Sequence, residues 1–328
     1  MSSNLSKNIF NIKSFFDFEK TSLELFDYQY KNCVVYKQYI DYLKVSAKKV
    51  NSLFEIPFLP VDFFKSHKII SSLNPVQQIF SSSGTTGQIT SQHHVTDIKI
   101  YEESFLTGFS YFYGNITEYC VLALLPAYME RTGSSLVYMV EKLIELSENS
   151  KSGFYLYNHE DLYFTLLELE AKKQKTILIG VSFGLIDFFE KYKMNLKYTL
   201  IMETGGMKGR KKELVRQEMH RFLCEASGVN SIHSEYGMTE LLSQAYSNSD
   251  GIYKCSPTMK VLIRDPNDPF SYLPQNHTGG VNIIDLANIN SCSFIETKDL
   301  GKLLPDNSFE ILGRFDNSDI RGCNLMVI

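Results

Sequence analysis

The sequence predicts an α/β protein, with a mostly parallel sheet flanked by helices and a smaller antiparallel β lobe packed onto it. Three observations predict it. Short apolar runs such as Tyr119–Pro126 (YCVLALLP) and Thr176–Val181 (TILIGV) suit buried parallel strands. Amphipathic stretches alternate with such runs, and strand, helix, strand, helix in that order implies parallel pairing. From about Tyr253 the pattern turns to short strands separated by Gly/Pro/Asn turns (RDPNDP, PQNHTGG, PDNS), which suit antiparallel pairing.

Along the chain, the first eighty residues read as helices with aromatic faces. An extended connection follows at Ile56–Phe64, where Pro57 and Pro60 disfavour helix. Gly133–Ser147 (GSSLVYMVEKLIELS) carries apolar residues at three-to-four spacing and predicts a helix. Ile177–Val181 is a strand, with a helix near Leu185–Lys193 after it. Tyr198–Glu203 is the next strand, and Lys208–Ser227 is a polar-faced helix ended by Gly228.

The 328 residues are 44% hydrophobic and 21% charged, enough for a large core. A net charge of −4 gives no electrostatic case for nucleic acid or an anionic membrane. The apolar runs are too short to span a bilayer, and Met1–Phe10 lacks the apolar core of a signal peptide. Six scattered cysteines without a CxxC pair fit a reduced compartment, so a cytoplasmic protein is expected.

Four motifs carry chemistry. Ser81–Gly87 (SSSGTTG) packs hydroxyls and glycine amides densely enough to wrap an oligophosphate, although no Gly-Lys-Ser/Thr follows to make it a Walker loop. By its composition alone it reads more readily as a flexible Ser/Gly hairpin turn. Glu235–Glu240 (EYGMTE), Lys298–Lys302 (KDLGK) and Gly313–Asp316 (GRFD) are each weak by themselves.

Taken in order, the four motifs resemble those of the adenylate-forming superfamily of acyl-CoA synthetases, luciferases and peptide-synthetase adenylation domains. The resemblance runs from about Ile56 to the end. It implies ATP and Mg²⁺, and a role for each matching position. Ser82, Ser83, Gly84, Thr85, Thr86 and Gly87 would hold the β- and γ-phosphates. Gly205 and Gly206, after Thr204, would leave room beside adenine. Tyr236, followed by Gly237, would stack on the base. Thr239 would bond the α-phosphate, and Glu240 would hold Mg²⁺. Asp299 would accept the ribose hydroxyls, with Arg314 nearby.

The pattern departs from the superfamily in two places. Gln88–Ser91 stands where a Pro-Lys usually follows the phosphate loop, and the sequence stops fourteen residues after Arg314, where most members continue into a mobile, lysine-bearing small domain. A large domain over residues 1–312 and a tail over 313–328 are therefore expected. Arg131, Lys208 and Arg210 are candidates for the replacement cation.

Leu124–Met139 (LLPAYMERTGSSLVYM), Phe58–Val61 with Phe64–Ser66, and Arg321–Leu325 (RGCNL) resemble one branch more closely. That branch is the acyl-protein synthetases of the bacterial bioluminescence fatty-acid reductase complex. The resemblance implies a fatty-acid substrate, an acyl-accepting reductase or carrier partner, and Cys323 as acyl acceptor. A thiolate beside Arg321 suits attack on a mixed anhydride. Among the histidines, His233 is a candidate for facing the substrate. An acyl- or aryl-CoA ligase, and a non-catalytic partner protein of the same fold, are the alternatives.

Overall fold

The computed structural model describes residues 5, 8–82, 89–125, 133–205 and 215–315. Fourteen strands are described: β1 Leu59–Pro60, β2 Gln78–Ser81, β3 Gln92–Val95, β4 Cys120–Leu124, β5 Gly153–Phe154, β6 Thr176–Val181, β7 Thr199–Thr204, β8 His233–Tyr236, β9 Ala245–Ser247, β10 Ile252–Cys255, β11 Met259–Arg264, β12 Thr278–Asp285, β13 Phe294–Leu303 and β14 Phe309–Arg314.

Twelve of these form one sheet in the order β11-β12-β13-β14-β10-β9-β8-β7-β6-β4-β5, with β1 added in parallel to β13. The run β5-β4-β6-β7-β8 is parallel, as the alternation of apolar runs and helices predicts. From β8 onward pairing is antiparallel. The sheet departs from expectation here. The antiparallel part is not a smaller lobe laid on a mostly parallel sheet but a continuation of it, hydrogen-bonded through β8 and β9. Its β12 and β13, at 8 and 10 residues, are the longest strands. Strand β14 carries the chain across the boundary expected at residue 312. The hairpin β2-β3 stands apart as a second, small antiparallel sheet.

Each face of the parallel part buries its own core. On one, Val121, Ile177, Ile179 and Met202 pack with Phe105 and Phe109 of the helix Ile98–Tyr113 and Met139 and Leu143 of the helix Ser135–Leu146. On the other, Leu122, Leu178 and Ile201 meet the helices His159–Ala171, Ser182–Lys191 and Arg216–Ser227. Each fully buried aliphatic side chain contributes about 1.5–3 kcal/mol relative to exposure.

The helix boundaries follow local chemistry. Ser134 caps its helix by accepting the Val137 amide. Gly228, at φ +79°, ends the helix Arg216–Ser227 in the left-handed region, where a Cβ would cost strain. The N-terminal helix Phe15–Asn32 docks through buried Gln29, whose amide donates to the Asn288 and Ile289 carbonyls at 2.9 and 3.1 Å. No described helix is long and apolar enough to cross a membrane.

Candidate active site

The phosphate-loop candidate leaves the β2-β3 hairpin at Ser82. The Ser82 amide donates to the Ser91 carbonyl at 3.0 Å, and the Ser82 hydroxyl accepts the Ser91 amide at 2.9 Å, so the loop's two stems are tied at their root. The Ser81 amide donates to the Gly133 carbonyl at 2.8 Å, fixing the hairpin to the segment before the helix Ser135–Leu146. Ser83, Gly84, Thr85, Thr86 and Gly87 lie outside the described residues. So do Arg131, Gly206, Lys208, Arg210 and Cys323.

The C-terminal ends of β7 and β8 lie side by side, Thr204 opposite Glu235. Such strand ends are where parallel α/β sheets bind ligands. Thr204 donates its hydroxyl to the Glu235 carboxyl at 2.5 Å. Burial, then repulsion from Glu203, pushes Glu235 up to about 7. A Cβ at Gly237 would stand 2.5 Å from a Glu235 oxygen, so a larger residue there would have to displace that carboxyl. On the opposite face, Glu203 accepts the Ser182 and Ser234 hydroxyls at 3.0 and 3.1 Å, with His220 at 3.6 Å and Arg216 at 3.7 Å. Burial alone would raise Glu203, but His220, Arg216 and Ser182 outweigh it and hold the carboxyl below its ordinary value. Ser182 also donates to the Gly205 carbonyl at 3.1 Å, so Glu203 is linked to the glycine turn.

Three of the predicted positions meet directly. The Tyr236 hydroxyl donates to Asp299 at 2.7 Å, and Arg314 Nε lies 3.2 Å from the other Asp299 oxygen. Asp299 and Arg314 are register partners across β13 and β14, which explains why residues fifteen apart share one place. Tyr253 and Phe309 pack beside Tyr236, with ring centroids at 5.8 and 5.7 Å. Asp299 is nearly buried, and burial raises its carboxyl against the pull of Tyr236 and Arg314. Arg314 is 63% exposed, free to face a solvent-borne ligand.

Thr239 and Glu240 sit in the turn after β8. His93 donates its Nδ1 proton to the Thr239 carbonyl at 3.0 Å, and burial depresses its pKa to about 4, keeping the ring neutral. The Glu240 carbonyl accepts Asn288 at 2.8 Å, so the chain Gln29–Asn288–Glu240 ties the first helix to the motif. The Glu240 carboxyl is buried, which raises it, while Ser91, Arg314 and Lys65 draw it down. Asp285 holds the residues beyond, accepting the Leu242, Ser243 and Ala287 amides at 2.7, 2.9 and 3.0 Å. Asp285 and Glu203 are site-shaping residues outside the four motifs, and Glu235 opens the motif EYGMTE without a role having been assigned to it. Of the two outside the motifs, Asp285 had a sequence signal: an Asp after an apolar strand, placed to cap the 3₁₀ turn Leu286–Asn290.

His233 begins β8, at the end of the strand away from Tyr236. Its Nδ1 is 3.3 Å from the Tyr113 hydroxyl, and Tyr113 packs on Tyr246 at 5.5 Å. Beneath this cluster lies a small wholly apolar void lined by Phe109, Met139, Ile179, Met202 and Tyr246. Burial lowers the His233 pKa to about 4.

Residues 13–328 match the family model described as acyl-protein synthetase, LuxE. The chain belongs to the LuxE acyl-protein synthetase family. No curated protein matches it. This LuxE-family chain is similar in fold to several solved structures. With 2-hydroxyisobutyryl-CoA ligase bound to 2-HIB-AMP and CoA it shares 11% identity and a TM-score of 0.70, over 93% of this chain and 72% of that one. ATP-bound MatB from Rhodopseudomonas palustris gives 18% identity and a TM-score of 0.55, over 75% of this chain and 49% of that one. The luciferase-like enzyme of the mealworm Zophobas morio gives 16% and 0.51, over 75% and 59%. The chain thus spans about half the length of MatB.

Proposed function

We propose that the chain uses ATP to activate a fatty acid as an acyl-adenylate, passes the acyl group to its own Cys323, and delivers it to a reductase or carrier partner. The Tyr236–Asp299–Arg314 cluster, beside the turn that carries Glu240, supports this most directly. Family membership supports the same chemistry. Tyr236 presents an aromatic face for adenine while its hydroxyl holds the Asp299 carboxylate ready for two ribose hydroxyls. Ser82 to Gly87 receive the β- and γ-phosphates, with Gly205 and Gly206 bordering the base.

The donor set around Glu240 fits Mg²⁺ in the way that ion usually binds, one carboxylate plus phosphate oxygens. In this reading the nucleotide phosphates would supply the ion's remaining ligands. Bound there, the ion would neutralise phosphate charge. Thr239 bonds the α-phosphate, and the fatty carboxylate attacks its phosphorus as pyrophosphate departs. The Cys323 thiolate then attacks the acyl carbon, AMP leaves, and a thioester remains. In this reading His233 and the apolar side chains below it would face the acyl end of the substrate. Arg131 and Lys208 are proposed as further phosphate-facing cations.

Incubation with ATP, Mg²⁺ and radiolabelled fatty acid should leave a hydroxylamine-sensitive label on the polypeptide. The Cys323→Ser variant should form acyl-adenylate and retain none of that label. Full labelling of the variant would remove Cys323 from the scheme, and turnover that saturates with coenzyme A without needing Cys323 would favour a CoA ligase instead.

A further inference from the structure

We propose that Arg264 is a positioning residue of the ribose site, setting the places of both Asp299 and Arg314 from inside the antiparallel half of the sheet. This rests on the ribose role proposed above for Asp299. Arg264 ends β11, and Asp299 lies two strands away on β13. The guanidinium crosses that distance at an irregularity of β12, where the register shifts between Gly280 and Asn282. Gly280 leaves the room, since a Cβ there would stand 2.3 Å from Arg264 Cζ. Nη1 donates to the Val281 carbonyl at 3.1 Å and to Asn282 Oδ1 at 2.9 Å. Nη2 donates to the Thr297 carbonyl at 2.9 Å and lies 3.6 Å from Glu296 Oε1. The fork thus ties β12 to β13 two residues before Asp299.

From Thr297 the tie runs directly into the site. The Thr297 hydroxyl donates to the Val281 carbonyl at 2.7 Å and accepts the Asp299 amide at 3.1 Å. The Val281 carbonyl therefore takes Arg264 and Thr297 together, and the Asp299 backbone hangs from that junction. Arg264 Cζ also lies 5.6 Å from the centre of the Phe315 ring, and the Phe315 amide donates to the Lys298 carbonyl at 2.8 Å. One side chain thereby holds β13 just before Asp299 and the chain just after Arg314.

Arg264 is 7% exposed. A buried arginine gives up its hydration, and an apolar side chain of similar volume often serves a fold as well. What an apolar side chain lacks is a planar fork that fixes two strands at once. Asp299 has to meet two neighbouring hydroxyls together, a demand satisfied only when its backbone is held in place.

The test uses Arg264→Lys in the full chain, because lysine keeps a charge beside Glu296 but cannot span Val281 and Thr297 at once. Calorimetric titration with ATP and with 2′,3′-dideoxy-ATP isolates the ribose contacts. The wild-type protein should prefer ATP by about tenfold, as hydrogen bonds to a charged group imply. Arg264→Lys should weaken ATP binding by about tenfold and leave dideoxy-ATP within about twofold. Amide hydrogen exchange should quicken at Asp299 and Phe315 while the amides of β6 and β7 keep their rates. A preference for ATP unchanged within about twofold, equal losses for both nucleotides, or unchanged exchange at Asp299 would overturn the assignment. Equal binding of the two nucleotides by the wild-type protein would count against the ribose role of Asp299 instead, and the exchange rate at Asp299 would still decide whether Arg264 sets its place. If Arg264→Lys does not fold, Thr297→Val cuts the same tie one link nearer the site and is held to the same outcomes, with Thr297→Ser expected to restore the preference.

Discussion

Glu235→Gln isolates the energetic cost of keeping a carboxyl inside the sheet beside the proposed nucleotide site. The Glu235 side chain is buried, its oxygen accepts only the Thr204 hydroxyl among the hydrogen bonds described above, and Glu203 repels it through the strand pair. The native carboxyl titrates at about 7, against 4.5 as its ordinary value. The folded protein therefore binds this proton more tightly than the unfolded chain does. Stability falls as pH rises from about 4.5 through about 7 and is level beyond. At about 1.4 kcal/mol per pH unit, the full span is about 3 kcal/mol. Glutamine never ionises and keeps an amide oxygen for Thr204. Below pH 4.5 the two proteins should be equally stable, and above about 7.5 the variant should gain up to about 3 kcal/mol. For a chain of this length that is about 4 °C in unfolding midpoint. Thermal unfolding followed by circular dichroism from pH 4 to 9, at one scan rate, reads the difference directly. Parallel curves, with a gap that does not change with pH, would refute the argument.

Tyr236→Phe removes the 2.7 Å bond that orients Asp299. It should raise the KM for ATP by roughly tenfold with little change in kcat, as expected for a bond to a charged group; an unchanged KM in the exchange assay would contradict the ribose role. Gly228→Ala places a Cβ 2.8 Å from the Asn195 Cα at a left-handed backbone. A loss of at least about 2 kcal/mol in denaturant unfolding is expected, and a cost below about 0.5 kcal/mol would show that the turn relaxes.

The sequence made local features legible wherever one residue's chemistry decides the outcome. Gly228 ends its helix as expected because no other residue adopts that backbone without strain. The runs around Cys120–Leu124, Thr176–Val181 and Thr199–Thr204 are parallel strands because helices cover both their faces. Tyr236, Asp299 and Arg314 were singled out separately, and the sheet brings them together. What stayed hidden depends on partners distant in sequence. Nothing in TLIMET or HSEY says that Glu203 and Glu235 lie on opposite faces of one strand pair, one ion-paired and the other pushed up to about 7. The union of the two β regions was equally hidden. It hangs on the short strand β9, three residues whose role is set by both neighbours.

Strand β14 has a consequence for how the protein comes into being. It is the last described strand in the chain, yet it lies inside the sheet, between β10 and β13. A ribosome releases the chain from its N-terminus, so the parallel half can pack while β13 and β10 still present open edges to each other. Those edges are sticky, and closing them requires pairing over a long sequence separation, which is slow. The nascent protein therefore depends on Phe309–Arg314 emerging to seal its centre, and the same six residues deliver Arg314 to Asp299. Completion of the sheet and completion of the proposed nucleotide site are one event in its synthesis.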